Sequence, residues 1–177
     1  MPSRIASLVR LGKFDEAETS FRESIAVQVK AYNTRDHTDV AASLHGLANV
    51  LESLGKFDEA ETSWISVVEI EERVFGSRHT ATTIPTLLSL ARLLLKTKRP
   101  VDALEWSREA WTAAIAGKLW LEVLSAGPVL IACLAATRGT GIEEVRSTLL
   151  AVLERFPEQH PARRRALAEL EKVVRRP

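Results

Sequence analysis

The sequence is poor in the residues that build covalently stapled or metal-dependent proteins. It contains one cysteine and four histidines in 177 residues. A single cysteine excludes an internal disulfide framework, and the cytoplasm is the expected location. No apolar run approaches the roughly 20 residues that span a bilayer, so we expect no membrane partner. The formal net charge of +1 offers no general attraction to nucleic acid.

What the sequence does contain is an exact internal repetition. The ten residues LGKFDEAETS occur at 11–20 and again at 54–63, a shift of 43 positions. Applied further along the chain, the same shift aligns apolar residues that lie three or four apart, namely Phe14 with Phe57, Ala17 with Ala60, Phe21 with Trp64 and Ile25 with Val68. This is the spacing of one helix face. We interpret the repeated letters as packing positions, not as a copied catalytic site.

Each repeat is predicted to consist of two helices. Asn33 and Gly76 fall at the same repeat position, and both residue types tolerate the left-handed conformation that ends helices. A loop and a second apolar-periodic run follow each of them. The third repeat keeps the 43-residue period but not the sequence identity. Ala103 lies 43 residues after Ala60, and Pro100 stands at the expected helix start.

The repeat pattern weakens after residue 117. Residues 118–156 are interpreted as a divergent fourth helix pair, split at Gly139–Gly141, where Thr140 and Glu143 form a predicted capping box. Residues 157–177 are predicted to form one amphipathic helix whose charged outer face and basic end suit a terminal cap. The predicted organisation is therefore three helix pairs over 1–117, the first of them truncated, then this divergent pair and this capping helix.

The segment GKFDEAE at 55–61 and the loop HTDV at 37–40 resemble the tetratricopeptide repeat, and the period exceeds the usual 34 residues as in the kinesin light chain subtype. The resemblance covers 4–117 strongly and 118–156 faintly. It implies an all-α fold, a right-handed superhelical solenoid of antiparallel helix pairs, whose first helices line a concave groove. Because the first repeat begins part-way through its first helix, we expect either a fragment of a longer array or a face covered by another subunit, as in a homo-oligomer.

The resemblance also points to candidate binding residues. His45, Asn49 and Glu52 stand at helical spacing on the first helix of the second repeat, and Arg92 and Lys96 lie on the equivalent line of the third. In the family geometry they would give a polar, mildly basic groove floor that suits an acidic or carboxylate-bearing peptide. An ordinary solvated helix face is the alternative interpretation.

One departure from the family pattern concerns paired asparagines that contact the peptide backbone in the family. This sequence has His45 and Gly46 at those positions in the second repeat, and Leu88 and Ser89 in the third. A complete clamp for two carboxylates is therefore not predicted.

The histidines do not predict a metal site. Asp36, His37 and Asp39 are close in sequence, but zinc requires three or four convergent ligands. His79 lies in the matching loop of the next repeat, so we interpret His37 as a turn residue and expect Thr38 or Asp39 to cap the following helix. No cofactor is predicted.

The remaining unusual residues each have a structural interpretation. The basic residues of the C-terminal segment could contact phosphates, but they lack an aromatic stacking platform, so nucleic acid is not the expected partner; they are Arg163, Arg164, Arg165, Lys172, Arg175 and Arg176. Cys133 lies on an apolar helix face and is predicted to be a buried, inert thiol. Trp106, Trp111 and Trp120 either pack the divergent pair or form an apolar docking surface.

Taken as a whole, the sequence predicts a non-catalytic protein–protein interaction scaffold that binds a peptide or partner protein in its groove. The alternative function is a ligand- or peptide-responsive sensor domain of a larger signalling protein, which would need to change conformation on binding.

Overall fold

The computed structural model describes residues 4–77 and 80–174, with the Val174 side chain left out. This part of the chain contains nine helices and no strand, which confirms the predicted all-α fold. The helices are α1 (Arg4–Arg10), α2 (Phe14–Tyr32), α3 (Thr38–Ser53), α4 (Phe57–Phe75), α5 (Thr83–Lys96), α6 (Pro100–Ala116), α7 (Trp120–Ala136), α8 (Ile142–Leu153) and α9 (Pro161–Val174). The predictions for His79, Arg175 and Arg176 lie outside the described residues.

The helices form two compact units, residues 1–78 and residues 79–177. In the first unit α3 packs against α2 and α4, and α1 packs against α2. In the second unit α6 packs against α5 and α7, and α7 also contacts α8 and α9. None of the helices in the described part of the chain is long and apolar enough to cross a membrane.

The repeated ten residues form the same turn twice. Gly12 and Gly55 adopt φ angles of 70° and 75°, the left-handed region that glycine enters without steric cost. The lysines that follow, Lys13 and Lys56, share φ −82° with ψ 65° and 66°. Each lysine amide donates to a carbonyl five residues back, at 3.0 and 2.9 Å. The third repeat keeps this turn with Lys98, at φ 61°, in the glycine position.

The prediction of the cap of α3 was wrong by one residue. His37 is the N-cap, and its Nδ1 accepts a hydrogen bond from the Asp39 amide at 3.1 Å. Its imidazole also stacks on the Tyr32 ring, with centroids 3.7 Å apart. This stacking holds the ring over the helix start, so neither Thr38 nor Asp39 provides the cap.

The capping box predicted before α8 is also wrong. Gly141 occupies the N-cap position at φ 91° and provides no side chain, so Thr140 lies one residue too early to cap. Glu143 instead approaches Arg146, at 3.7 Å, within the first turns of the helix. The turn therefore depends on the conformational freedom of glycine at position 141.

The second unit buries the lone cysteine and partly buries its three tryptophans. Cys133 is buried on α7, as predicted, and this burial raises the pKa of its thiol, an effect that the contact with Ser107 of α6 partly offsets. Trp106, Trp111 and Trp120 are all half-buried. The guanidinium of Arg155 lies 4.4 Å above the Trp120 ring, close enough for a cation–π contact.

Candidate functional site

A cavity of about 610 Å³ lies in the second unit between α5, α7 and α9. This volume is in the range of pockets that enclose small molecules or short peptide segments. Its apolar lining includes Ile84, Leu88, Leu121, Leu124, Pro128 and Val129. Its polar lining includes Ser89, Arg92, Glu122, Ser125, Arg165, Glu169 and Lys172. An apolar surface with a few convergent charges can hold an extended segment and fix its orientation.

Arg92 projects from α5 into this cavity, where the resemblance placed a groove residue. Its side chain is exposed because the cavity is open to water. The surrounding helices nevertheless remove enough water to lower the pKa of the guanidinium. The nearby Glu169 carboxylate opposes this effect and raises the pKa, whereas the positive charge of Arg165 lowers it. The guanidinium forms no hydrogen bond or ion pair with any residue that the structure describes, so its charge is available to a ligand.

Helix α9 forms the opposite wall of the cavity. Arg165, Glu169 and Lys172 follow one another at spacings of four and three residues and therefore share one helical stripe. Lys172 pairs with Glu169 at 2.7 Å, which partly neutralises that carboxylate. Arg165 has no such partner within the described part of the chain. The cavity thus has two unpaired guanidinium groups, on α5 and on α9.

The predicted residues of the second repeat surround a tryptophan in the first unit. The Glu52 carboxylate accepts a hydrogen bond from the Trp64 indole N–H at 2.9 Å. The His45 ring meets the Trp64 ring edge-on, with centroids 4.7 Å apart. The atoms packed around one side of the ring remove enough water to lower the pKa of this histidine, although its other side is open to solvent. Asn49 donates to the His45 backbone carbonyl at 3.0 Å. His45 and Asn49 remain exposed, whereas Glu52 is half-buried and helps to hold a core side chain.

Of the five residues predicted to bind a partner, Arg92 lines this cavity, and their role in binding stays a prediction. Lys96 is exposed at the end of α5 and is not among the described residues that line the cavity. Arg165, Glu169 and Lys172 were missed because α9 was expected to turn its charges outward as a cap. These three residues are regularly spaced beside Ala166 and Leu170, which are buried. That spacing indicates that this side of α9 lies near other helices.

The basic residues of the C-terminal segment have separate roles. The Arg163 guanidinium donates to the carbonyl oxygens of Leu153 and Phe156, at 3.1 and 2.7 Å, and so caps the end of α8. Arg165 faces the cavity, whereas Arg164 is exposed elsewhere on the helix. Among the described residues, no group of three or more His, Cys, Asp or Glu side chains could hold a metal ion.

The comparisons with known proteins agree with this architecture. The family profile of the tetratricopeptide repeat matches residues 4–63 and 39–115. A crystal structure of the nearly identical TPR-like repeats of a protein assigned as a kinesin light chain from Podosopora anserina is similar, with a TM-score of 0.77 and 20% identity over 96% of this chain and 82% of that one. A crystal structure of a single-residue variant of that protein gives a TM-score of 0.79 at 20% identity, over 96% and 81% of the two chains. No curated protein sequence matches the chain. The family match covers well over half of the residues, and the chain belongs to the tetratricopeptide repeat family.

Proposed function

We propose that this chain is a protein–protein interaction module that binds an acidic segment of a partner protein in the cavity between α5, α7 and α9, with no catalytic activity of its own. The observation that carries the proposal is a pair of guanidinium groups, Arg92 and Arg165, which have no ion-pair partner among the described residues and lie on opposite walls of one partly apolar cavity. The family match supports the general role in protein recognition.

Charge explains why the ligand should be acidic. The charged lining as a whole has three cations, Arg92, Arg165 and Lys172, against two carboxylates, Glu122 and Glu169. Across the cavity, Glu169 raises the pKa of Arg92 and Arg165 lowers it, so the two guanidinium groups repel each other beside one carboxylate. A carboxylate placed between them would relieve this repulsion and could accept paired N–H bonds from a planar guanidinium. The apolar residues Leu88, Leu121 and Leu124 would bury aliphatic or aromatic side chains of the same segment.

We propose separate contacts for the residues predicted from the resemblance. His45 and Asn49 are exposed on α3 and would contact a partner protein at the first unit, whereas Lys96 adds a positive charge to the second unit at the end of α5. Glu52 would act indirectly, because it fixes the Trp64 ring against which His45 packs.

The proposal is tested by selecting 15-residue peptides from a displayed library against the intact chain and titrating the selected peptides by fluorescence anisotropy. We expect enrichment of Asp and Glu next to apolar residues. Arg92→Ala and Arg165→Ala should each weaken binding about tenfold, which corresponds to about 1.4 kcal/mol. Arg164→Ala is the matched control, because this exposed arginine precedes Arg165 on α9 and does not line the cavity.

Two results would contradict the proposal. One is a set of selected peptides without acidic residues, and the other is equal affinity for the two cavity variants and the Arg164→Ala control. Circular dichroism should first show that each variant keeps the helical content of the parent chain.

A further inference from the structure

A second cavity, of about 370 Å³, lies in the second unit between α6, α7 and α8. Its volume is at the lower end of the range of about 300–1,000 Å³ that is usual for small-molecule pockets. None of the described residues that line it also lines the larger cavity between α5, α7 and α9. The two cavities are therefore separate sites of one unit.

Part of the lining of this second cavity is apolar. It includes Leu130 and Leu134 of α7 and Val145 of α8, all three of which are buried. It also includes the half-buried Trp111 ring of α6. This ring is held close to α7, because a Cβ atom on Gly127 would lie 3.1 Å from its Cζ3 atom. An aliphatic or aromatic group of a ligand would lose contact with water on this surface, which favours binding.

The same lining carries one charge of each sign. Arg108 belongs to α6 and Glu144 to α8, and both residues are exposed. Neither forms an ion pair in the part of the chain that the structure describes, although they line one cavity. Elsewhere in this unit neighbouring opposite charges do pair, as Arg99 does with Asp102 at 2.7 Å. The cavity thus presents a cation and a carboxylate that are both available to a ligand.

Uncharged polar groups complete the lining. The Thr148 hydroxyl donates to the backbone carbonyl of Glu144 at 2.9 Å, a bond that threonines in helices commonly form. The Thr112 and Thr140 hydroxyls and the Trp111 indole N–H have no hydrogen-bond partner among the described residues. These three groups can therefore bind the polar atoms of a small molecule.

We propose that this second cavity binds a free α-amino acid with an aliphatic or aromatic side chain. The carboxylate of the ligand would accept hydrogen bonds from the Arg108 guanidinium, and its ammonium group would donate to the Glu144 carboxylate. Its side chain would pack on Trp111 and Leu134. A site of this kind is what the alternative function, a ligand-responsive sensor domain, would require.

The two charges disfavour other classes of ligand. A phosphate or a nucleotide would bring its negative charge close to Glu144, and a polyamine would bring positive charge close to Arg108, so each would meet a like charge. The backbone of an internal peptide segment has neither charged group and would leave both side chains without a partner. A zwitterion with an apolar side chain satisfies both charges and the apolar lining together.

The test follows the indole N–H signals of the intact chain by heteronuclear NMR while L-leucine or L-phenylalanine is added. The variant Trp111→Phe identifies the signal of Trp111. We expect this signal to shift in a saturable way with a dissociation constant of about 0.1–1 mM, because the charged groups of the site are exposed to water.

Substitutions test the two charged residues. Arg108→Gln and Glu144→Gln should each weaken the binding of L-leucine about tenfold. The matched controls are Arg146→Gln and Glu143→Gln, because both residues are exposed on α8 and do not line the cavity. The controls should leave the dissociation constant unchanged. Circular dichroism should first show that every variant keeps the helical content of the parent chain.

Derivatives of the ligand test the same two contacts from the other side. N-acetyl-L-leucine lacks the ammonium group and L-leucinamide lacks the carboxylate, so each should bind about tenfold more weakly than L-leucine. Glu144→Gln should not weaken the binding of N-acetyl-L-leucine further, because the group that Glu144 would receive is already absent.

Three results would overturn the proposal. The first is the absence of a saturable shift of the Trp111 signal with any common free amino acid at about 10 mM. The second is equal affinity of the two cavity variants and their controls for L-leucine. The third is equal binding of L-leucine and N-acetyl-L-leucinamide, which lacks both charges, because an apolar segment of a protein would then be the occupant.

Discussion

Helices α2 and α4 begin with the same seven residues, both contain 19 residues, and both end at a residue in the left-handed conformation. Their burial is nevertheless very different. In α2 only Ala17 and Glu18 are buried, although the structure describes every residue of the helix. The corresponding helix α4 buries seven residues, namely Ala60, Ser63, Trp64, Val67, Val68, Ile70 and Glu71.

The difference comes from both local sequence and neighbours. Five of the seven residues that α4 buries lie beyond the seven positions that the two helices share. Helix α3, which packs against both α2 and α4, has 16 residues, whereas α1, the preceding neighbour of α2, has only seven. In a repeat array each unit is stabilised largely by the units beside it. Identical residues therefore form the same turn and the same helix start in both copies. Their contribution to the free energy of unfolding depends on what packs against them.

The largest expected effect compares the aromatic residues at one repeat position. Trp64→Ala should cost about 3–5 kcal/mol of unfolding free energy, because it empties a fully buried site and leaves the Glu52 carboxylate without its donor. Phe21→Ala removes a half-buried ring and should cost about half as much. Urea unfolding of both variants measures the ratio. Equal costs would mean that α2 is as well covered as α4.

An intermediate effect is expected where α2 and α3 approach closely. A Cβ atom on Gly46 would overlap the Phe21 ring, so Gly46→Ala should destabilise the chain by about 1–2 kcal/mol after its gain in helix propensity. Combining it with Phe21→Leu, which clears the space, should recover most of this loss in a double-mutant cycle. A stabilising Gly46→Ala would show that the ring moves aside freely. The close approach also explains why this chain has glycine where the family has asparagine.

The smallest expected effect concerns pH. The hydrogen bond from Lys56 lowers the pKa of Glu18 below its ordinary value of 4.5, against the opposing effect of burial. A carboxylate with a lowered folded-state pKa stabilises the chain above about pH 4.5, and this stabilisation is lost as the pH falls through the folded-state pKa. Glu18→Gln should therefore lower the melting temperature by about 2–4 °C at pH 7 and by less at pH 3.

The two lysines of the repeated decapeptide supply the control for that measurement. Lys56→Met should reproduce most of the loss seen for Glu18→Gln, because it removes one of the two cationic partners of the carboxylate and leaves the pair with Arg22. Lys13→Met, the equivalent change in the first copy, should shift the melting temperature by less than about 1 °C, since its pair is exposed. Equal shifts for both lysines would show that the ion pair between Lys56 and Glu18 adds nothing to stability.

Local sequence patterns predicted the helices and turns well. The spacing of apolar residues predicted the helix pairs, and Pro100 begins α6 as expected. Caps were harder to predict, because they depend on a single side-chain geometry. His37 caps α3 only because its ring is stacked on Tyr32, a contact that the sequence does not indicate.

The candidate site was less predictable because it depends on how one helix lies against others. Arg92 lies on a repeat helix, whereas Arg165 belongs to a helix outside the repeat pattern, so repeat position alone did not indicate that both would line one cavity. Likewise, the spacing of His45 and Glu52 gave no sign that both would contact Trp64, which lies on the next helix. Periodicity shows which residues share a face, but not what that face meets.

The left-handed turn at Lys98 bears on how such an array can diverge. Holding a lysine in this conformation costs about 1 kcal/mol relative to glycine. Its φ angle of 61° is nevertheless close to those of the glycine turns, and the Arg99 amide donates to the carbonyl five residues back at 2.8 Å, as in those turns. The repeat geometry therefore tolerates the loss of its own signature residue. Substitutions can then remove the sequence identity of a duplicated segment while its backbone conformation is kept. A count of repeats from sequence alone will therefore underestimate how many were copied.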